Sequence, residues 1–333
     1  MSEWKEYKLG DLIQSVSDTY RFKPNEKVVF LNTSDILDGK FLTNSLSDVK
    51  TLPGQAKKRI QKGDILFSEI RPANKRFALV NFDCDNYVVS TKLMVLRCNE
   101  NIDNRFIYTY LTSSEVLEYL QMVAEDRSGT FPQITFDIIA KMDIELPPLP
   151  TQHRIAAILS SLDDKIDLLR RENATLEQMA ETLFRQWFVV EAKEEWEDVL
   201  LGNLIDIGSG KGLQRSEFVE NGLYSVLGAN GDIGKTNKYL VDESNRVIYT
   251  GRVGTLGNVF RLENKKAWLS DNTLVIKPKE YYNFVYFVLK LSRLQDYNVG
   301  STQPLIRQSD IKEIELVLPD RGILNVFEKE FFI

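Results

Sequence analysis

Short runs of β-branched and aromatic residues, bounded by Gly, Asn and Asp, recur over two stretches of the chain. Lys27 to Leu31, Val88 to Leu96 and Thr273 to Ile276 are the clearest, and their length and flanks predict strands. A helical period enters each stretch only near its end, around Phe106 to Met122 and Phe284 to Leu294. Between the stretches the pattern changes. Ile155, Leu159, Leu162, Ile166, Leu169, Asn173, Leu176, Ala180, Leu183 and Trp187 follow one another at intervals of 4-3-4-3-4-3-4-3-4, which is the seam of a coiled coil. A helix from Gln152 to Trp187 would extend about 54 Å at ~1.5 Å per residue, the reach of a spacer between two domains. Pro147-Pro148-Leu149-Pro150 resists helix, so Thr151 is the expected N-cap. Asn173, polar within the seam, lowers stability and fixes register. One long helix packed on a globular core would carry the same stripe, and that alternative stays open.

The two stretches repeat one another. Glu3-Trp4 through Leu9-Gly10-Asp11-Leu12-Ile13 returns as Glu195-Trp196 through Leu201-Gly202-Asn203-Leu204-Ile205, with six identities in eleven positions at an offset of 192. Ile65-Leu66-Phe67-Ser68, closely followed by Arg71, matches Val247-Ile248-Tyr249-Thr250, closely followed by Arg252. Asn104 to Tyr108 resembles Asn283 to Tyr286, and Gly129 to Pro147 resembles Gly300 to Pro319. At Pro132 and Pro304 the offset has fallen to 172, so the second copy is 20 residues shorter between shared ends. The expected fold class is α+β: two similar strand-rich domains separated by a coiled-coil-type helix. The expected boundaries are 1–150, 151–192 for the helix, 193–320, and 321–333 for the start of a further helix.

Composition narrows the function. Of 333 residues, 43% are hydrophobic and 27% charged, a globular balance that excludes wholesale disorder. Neither a signal peptide nor a run of about 18 apolar residues is present, so a cytoplasmic protein is expected, not a membrane one. Cys84, Cys98 and the single histidine, His153, are too few for a zinc cluster or a hydrolytic triad, and read as structural. Net charge is −6, yet between Lys50 and Arg76 eight basic residues face only Asp64 and Glu69. DNA would sense that patch and not the average, because phosphate attraction decays over about 10 Å at 0.1 M salt; a solvated surface run would read the same way. Gly208-Ser209-Gly210-Lys211-Gly212 lacks the spacing and the hydroxyl of a phosphate loop and reads as a flexible turn. No Asn/Asp-Pro-Pro-Tyr/Phe methyltransferase motif, cofactor loop or nuclease cluster is found. Asp163-Asp164 and Asp83/Asp85 read as a solvated helix face and a strand-end turn, not as metal ligands.

The central segment carries a resemblance. The entry LPPLPTQHRIAAILSSLDDKIDLL and the exit MAETLFRQWFV, with a strand-rich domain on either side, resemble the specificity subunits of type I restriction-modification systems over nearly all the chain. Lys62-Gly63-Asp64-Ile65-Leu66 and Gly228 to Lys235 look like further landmarks. The resemblance implies a noncatalytic reader of double-stranded DNA. Each domain would read half of a split site and the helix would set the unread spacer. Methyltransferase subunits would bring S-adenosylmethionine, and a separate motor subunit ATP, magnesium and cleavage. The DNA-binding residues expected are Lys57, Lys58, Arg59, Arg71, Lys75 and Arg76 in the first domain, and Lys211, Gln214, Arg215, Lys235 and Arg252 in the second. A neighbouring carboxylate could instead pair with Arg252. Partner binding falls to the helix seam. Family members usually carry a second long helix after the second domain, and this sequence matches only its beginning. The seam would then take another chain, including a second copy, or the chain would be a truncated, non-assembling reader. A self-sufficient restriction or modification enzyme and a coiled-coil adaptor are the competing classes.

Overall fold

A computed structural model of the chain describes residues 4–127 and 131–330. Glu3, Gly129 and the last three residues, all within the sequence matches above, lie outside the described residues. The chain divides into two compact units, Met1–Leu169 and Arg170–Ile333, and the division falls inside one continuous helix, Leu149–Arg185.

The first unit is built on an antiparallel sheet of Ile13–Val16, Leu93–Cys98, Ile65–Ser68 and Phe77–Leu79, in that order. A strand turns alternate residues to opposite faces, and here both faces are covered. Ile65 and Phe67 pack with Leu9, Ile107, Leu111 and Leu120 beneath the helices Asn104–Leu111 and Ser114–Arg127. Leu66 and Val95 pack with Val29, Leu31 and Val89 of a second sheet, ordered Leu46–Asp48, Lys27–Leu31, Tyr87–Ser90 and Ala56–Arg59. The continuous apolar run Ile65-Leu66-Phe67 follows from this two-sided burial.

The second unit repeats the plan with different residues. Ile205–Ser209, Thr273–Pro278, Val247–Gly251 and Val259–Leu262 form the antiparallel sheet, and Gly231–Thr236, Tyr224–Gly228 and Ala267–Leu269 the second. Each unit is closed by pairing its first strand with its last: Lys5–Lys8 with Asp143–Leu146, and Glu197–Leu200 with Glu315–Leu318.

The repeated Leu-Gly-x-Leu-Ile is explained by that closure. Leu9 and Leu201 are fully buried, and their N–H groups donate to Met142 O at 3.0 Å and Ile314 O at 2.8 Å. The single helical turn they open presses on the short helix Phe136–Ala140, or on Gln308–Lys312 in the second unit. A Cβ on Gly10 would lie 2.9 Å from Ala140 Cβ, and one on Gly202 3.0 Å from Lys312 Cβ, so glycine is needed for the close approach.

The central helix starts earlier than its prolines suggest. Leu149 and Pro150 form its first turn, where a proline costs nothing because its missing N–H would have had no intrahelical acceptor; Thr151 is therefore inside the helix and not its cap. Each unit grips its own half. In the first unit the buried Gln152 accepts from Asp103 N–H at 3.1 Å and donates to Pro147 O at 2.9 Å, and Lys40 pairs with Asp167 at 2.9 Å. In the second, Ala180, Phe184 and Phe188 are buried among Phe284, Phe287 and Phe327, with Phe188 4.9 Å from Phe327 and 5.1 Å from Phe284, ring centre to ring centre. Phe327 belongs to the helix Arg321–Glu330.

The seam is therefore not the buried stripe. Leu159, Leu162, Ile166, Leu169, Leu176 and Leu183 are 37–56% exposed, Asn173 is exposed, and Ile155 and Trp187 are half-buried. Of the seam positions only Ala180 is buried. The buried side chains of the helix, Gln152, Ala156, Ala180 and Phe184, lie towards its two ends.

Candidate nucleic-acid interface

At the carboxyl end of Ile65–Ser68, and again after Val247–Gly251, the chain enters a loop pinned by three backbone hydrogen bonds. In the first unit Glu69 N–H donates to Lys92 O at 3.3 Å, Ile134 N–H to Glu69 O at 2.9 Å, and Arg71 N–H to Pro132 O at 3.2 Å. In the second, Arg252 N–H donates to Asn272 O at 2.8 Å, Ile306 N–H to Arg252 O at 3.0 Å, and Gly254 N–H to Pro304 O at 3.0 Å. The sets are the same frame, and they correct the matching of Arg71 with Arg252. Arg252 stands where the first unit has Glu69, Asn272 where it has Lys92, and Gly254 where it has Arg71. Backbone conformation agrees: Arg71 has φ 44° and Gly254 φ 87°, both left-handed. Glycine adopts that conformation freely and arginine at a cost of about 1–2 kcal/mol.

Around the first loop, Lys57 and Arg59 alternate with Lys58 along the strand Ala56–Arg59 and are exposed. Lys58 turns inward and its Nζ donates to Leu93 O at 2.8 Å; burial lowers the pKa of its amine, opposed by the neighbouring Glu69. Because Lys92 and Leu93 are adjacent, this strand and the Glu69 loop meet at one turn. Arg59 lies 3.8 Å from Asp85. Lys75, also left-handed at φ 54°, lies 3.8 Å from Asp38. Arg76 is half-buried, and its Nη1 donates to Ser34 O and Ile36 O at 3.1 and 3.0 Å. It ties the loop to the hairpin of Ile36–Leu37 and Lys40–Phe41, a structural role that needs no ligand. Asp64 of the Lys-Gly-Asp-Ile-Leu landmark is likewise structural: it is fully buried and receives Arg97 Nε and Nη2 at 2.7 and 2.8 Å.

In the second unit Lys211 and Arg252 flank the turn Ser270-Asp271-Asn272. Lys211 N–H donates to Leu269 O at 2.9 Å, Gly210 N–H to Thr273 O at 3.1 Å, and Trp268 Nε1 to Lys211 O at 2.7 Å. Gly208 and Ser209 of the Gly-Ser-Gly-Lys-Gly run end the strand Ile205–Ser209, and a Cβ on Gly210 would stand 2.1 Å from Ser270 O, so the run leaves the strand at a closely packed glycine and is not the flexible turn its composition suggests. Asn258 donates to Asn230 at 2.8 Å, joining the hairpin tip of the Gly228 to Lys235 landmark to the Arg252 loop. Gln214 and Arg215 are exposed at a 3-10 turn, where Gln214 caps with Glu217. Lys235 is engaged with Ser225 at 2.8 Å and Asp232 at 3.5 Å. Arg252 is half-buried and makes no side-chain hydrogen bond or ion pair among the described residues, so the alternative of a carboxylate pairing is not seen there.

Sequence reasoning missed Glu69, Lys92 and Asn272. The signal existed in the repeat, but it needed the hydrogen-bond register to be read. It also missed Glu177, whose carboxylate accepts from Tyr286 Oη at 2.7 Å and Lys290 Nζ at 2.6 Å, with Arg261 at 3.5 Å. Burial acts to raise the Glu177 pKa, but the hydrogen bonds from Lys290 and Tyr286 outweigh it and hold the carboxyl below the ordinary range.

Comparison with known proteins joins these features to a family. The profile of the type I restriction modification DNA specificity domain matches residues 1–178 and 193–323. The type I restriction enzyme HindI specificity subunit of Haemophilus influenzae is 53% identical over 190 residues, covering 57% of this chain and 41% of that protein. The MjaIX specificity subunit of Methanocaldococcus jannaschii is 23% identical over 271 residues, 68% of this chain and 61% of that one. The chain thus spans between two fifths and two thirds of the length of these relatives. A crystal structure of a type-I restriction-modification system S subunit from M. genitalium has the same fold, with a TM-score of 0.58 at 17% identity over 99% of this chain and 88% of that one. With its profile matched across both units, the chain belongs to the type I restriction modification DNA specificity domain family.

Proposed function

We propose that the chain is the noncatalytic DNA reader of a type I restriction-modification complex, each unit reading one half of a split site in double-stranded DNA. The observation that carries this reading is the loop frame at Glu69 and Arg252. It occurs twice, is held by the same hydrogen bonds, and is furnished with different polar side chains, as two readers of two different sequences require. Backbone contacts position such a protein and base edges specify it. Lys57, Arg59, Arg71 and Lys211, exposed around the two frames, suit phosphates; Arg252 suits guanine. Family membership supports docking of methyltransferase and motor subunits, which would supply S-adenosylmethionine, ATP and magnesium chemistry in the cytoplasm. The exposed seam from Leu159 to Leu183 supports a helical partner there, either a methyltransferase subunit or a second copy.

The test is the salt dependence of DNA binding by the complex with its methyltransferase partner. Affinity should fall as salt rises, because phosphate contacts release counterions. Replacing Lys57 and Arg59 by Ala should flatten the log–log slope by about one for each phosphate no longer neutralised. A slope unchanged by that double substitution removes this strand from the interface, and salt-independent binding contradicts the reading itself.

A further inference from the structure

We infer that Glu69 is a base-reading residue of the first unit, accepting a hydrogen bond from an exocyclic amino group of cytosine or adenine in the major groove. The inference rests on the DNA-reading role proposed above and assigns it to one side chain.

The first support is position. Glu69 and Arg252 have both their main-chain groups engaged in the matched frame, to Lys92 O and Ile134 N–H in one unit and to Asn272 O and Ile306 N–H in the other. Two neighbouring segments hold each residue, so the side chain is presented from a rigid edge. Rigid presentation is what base reading needs, since a misplaced donor or acceptor loses most of its discrimination.

The second is charge without a hydrogen-bond or ion-pair partner. Other half-buried charged side chains among the described residues have partners, either an ion pair, as for Arg97 with Asp64 and Asp18, Arg246 with Glu263, and Arg261 and Lys290 with Glu177, or hydrogen bonds, as for Arg76 with Ser34 O and Ile36 O and Glu328 with Asn283 and Phe284. Glu69 and Arg252 are half-buried too, yet neither makes a side-chain hydrogen bond or ion pair among the described residues. Lys58 lies near enough to Glu69 for the two charges to interact, but the two do not form an ion pair, and the one hydrogen bond of the Lys58 amine among the described residues goes to Leu93 O. Holding a half-buried charge unpaired is costly, and a ligand that arrives later would remove the cost.

The third is the reversal of sign. A phosphate contact could explain Arg252, but the same place on the first frame carries a carboxylate, which a phosphate repels. Base edges accommodate both. Guanine offers O6 and N7 as acceptors to arginine, and cytosine and adenine offer amino groups to a carboxylate. The left-handed Arg71, kept where the second unit has Gly254, sits two residues away and can neutralise the adjacent backbone.

The experiment is methylation of a randomised site library by the complex of the full chain with its methyltransferase partner. The wild-type complex defines two half-sites. Glu69→Ala should relax one base pair of one half-site by roughly 5- to 150-fold, the size of a single base contact, and leave the other half-site intact. Glu69→Gln, which keeps shape and therefore fold, should move preference towards adenine if the wild-type base is cytosine, and should weaken adenine reading little if it is adenine. Arg252→Ala should relax a base pair in the opposite half only. Unaltered base preference in both Glu69 variants overturns the proposal, as does a loss spread evenly over both half-sites. A wild-type complex that methylates every site alike would contradict the DNA-reading role itself, and this assignment with it.

Discussion

The two units share a backbone frame and almost nothing of their surface. Both close by pairing first strand with last, both press a glycine turn on a short helix, and both pin a loop with the same three hydrogen bonds. On that frame Glu69 replaces Arg252, Lys92 replaces Asn272, and Arg71 replaces Gly254. Their grips on the central helix differ as well: the first unit uses Gln152 and a surface pair of Lys40 with Asp167, and the second a phenylalanine cluster and the Glu177 network. The first unit also carries the helix Ser114–Arg127, where the second has the short turn Leu294–Tyr297. The difference teaches that the frame is dictated by burial and backbone hydrogen bonding, which tolerate few alternatives, whereas the loop tips are free to vary.

If the grips are separate, each can be broken alone. Phe184→Ala should have the largest effect, opening a cavity among Phe188, Phe284, Phe287 and Phe327 and costing about 3–5 kcal/mol. Calorimetry of the full chain should show the second unit melting earlier and the first unchanged. Equal shifts of the whole transition would mean that the units do not unfold separately.

The glycine turns should respond alike. Gly10→Ala and Gly202→Ala each force a Cβ against a neighbouring short helix, at a cost of about 1–3 kcal/mol, each in its own unit. A neutral outcome at one position and not the other would break the equivalence of the two closures.

Acid should distinguish the grips further. Because the folded Glu177 carboxyl titrates below its unfolded value near 4.3, its contribution is full above that value and is lost as pH falls through the folded one. The second unit should therefore lose stability below about pH 4.3 in a way that Glu177→Gln abolishes. At neutral pH that substitution should cost about 1.5–3 kcal/mol, the scale of hydrogen bonds to a charged group. An unchanged acid profile in the variant would remove Glu177 from the grip.

Much of this organisation is legible in the chain. The Leu-Gly-x-Leu-Ile repeat and the runs around Phe67 and Tyr249 announce two similar cores, and the apolar intervals from Ile155 to Trp187 announce one long helix. What periodicity does not convey is which stripe of that helix is buried. Phe184 and Phe188 lie one residue beyond the heptad positions Leu183 and Trp187, yet carry the packing, because the cluster around Phe327 meets that face. Gln152, in the Gln-x-x-Ile entry, reads as a surface residue until Asp103 and Pro147 are seen around it. The candidate interface is legible only as charge. Lys57, Arg71 and Arg252 stand out by type, but Arg76 looks the same in sequence although its Nη1 is held by Ser34 O and Ile36 O. In sequence Glu69 is only a minor offset to a basic patch. Its match with Arg252 depends on hydrogen bonds between segments far apart in the chain, and aligning by the nearest arginine shifts that register.

The central claim is that each unit is an independent reader on a common frame, and exchanging one unit tests it most directly. Replacing Trp196 to Pro319 with the matching unit of a relative, and mapping the methylated sites of the resulting complex, should change one half of the site and preserve the other half. A site altered in both halves, or altered in neither, would contradict the account.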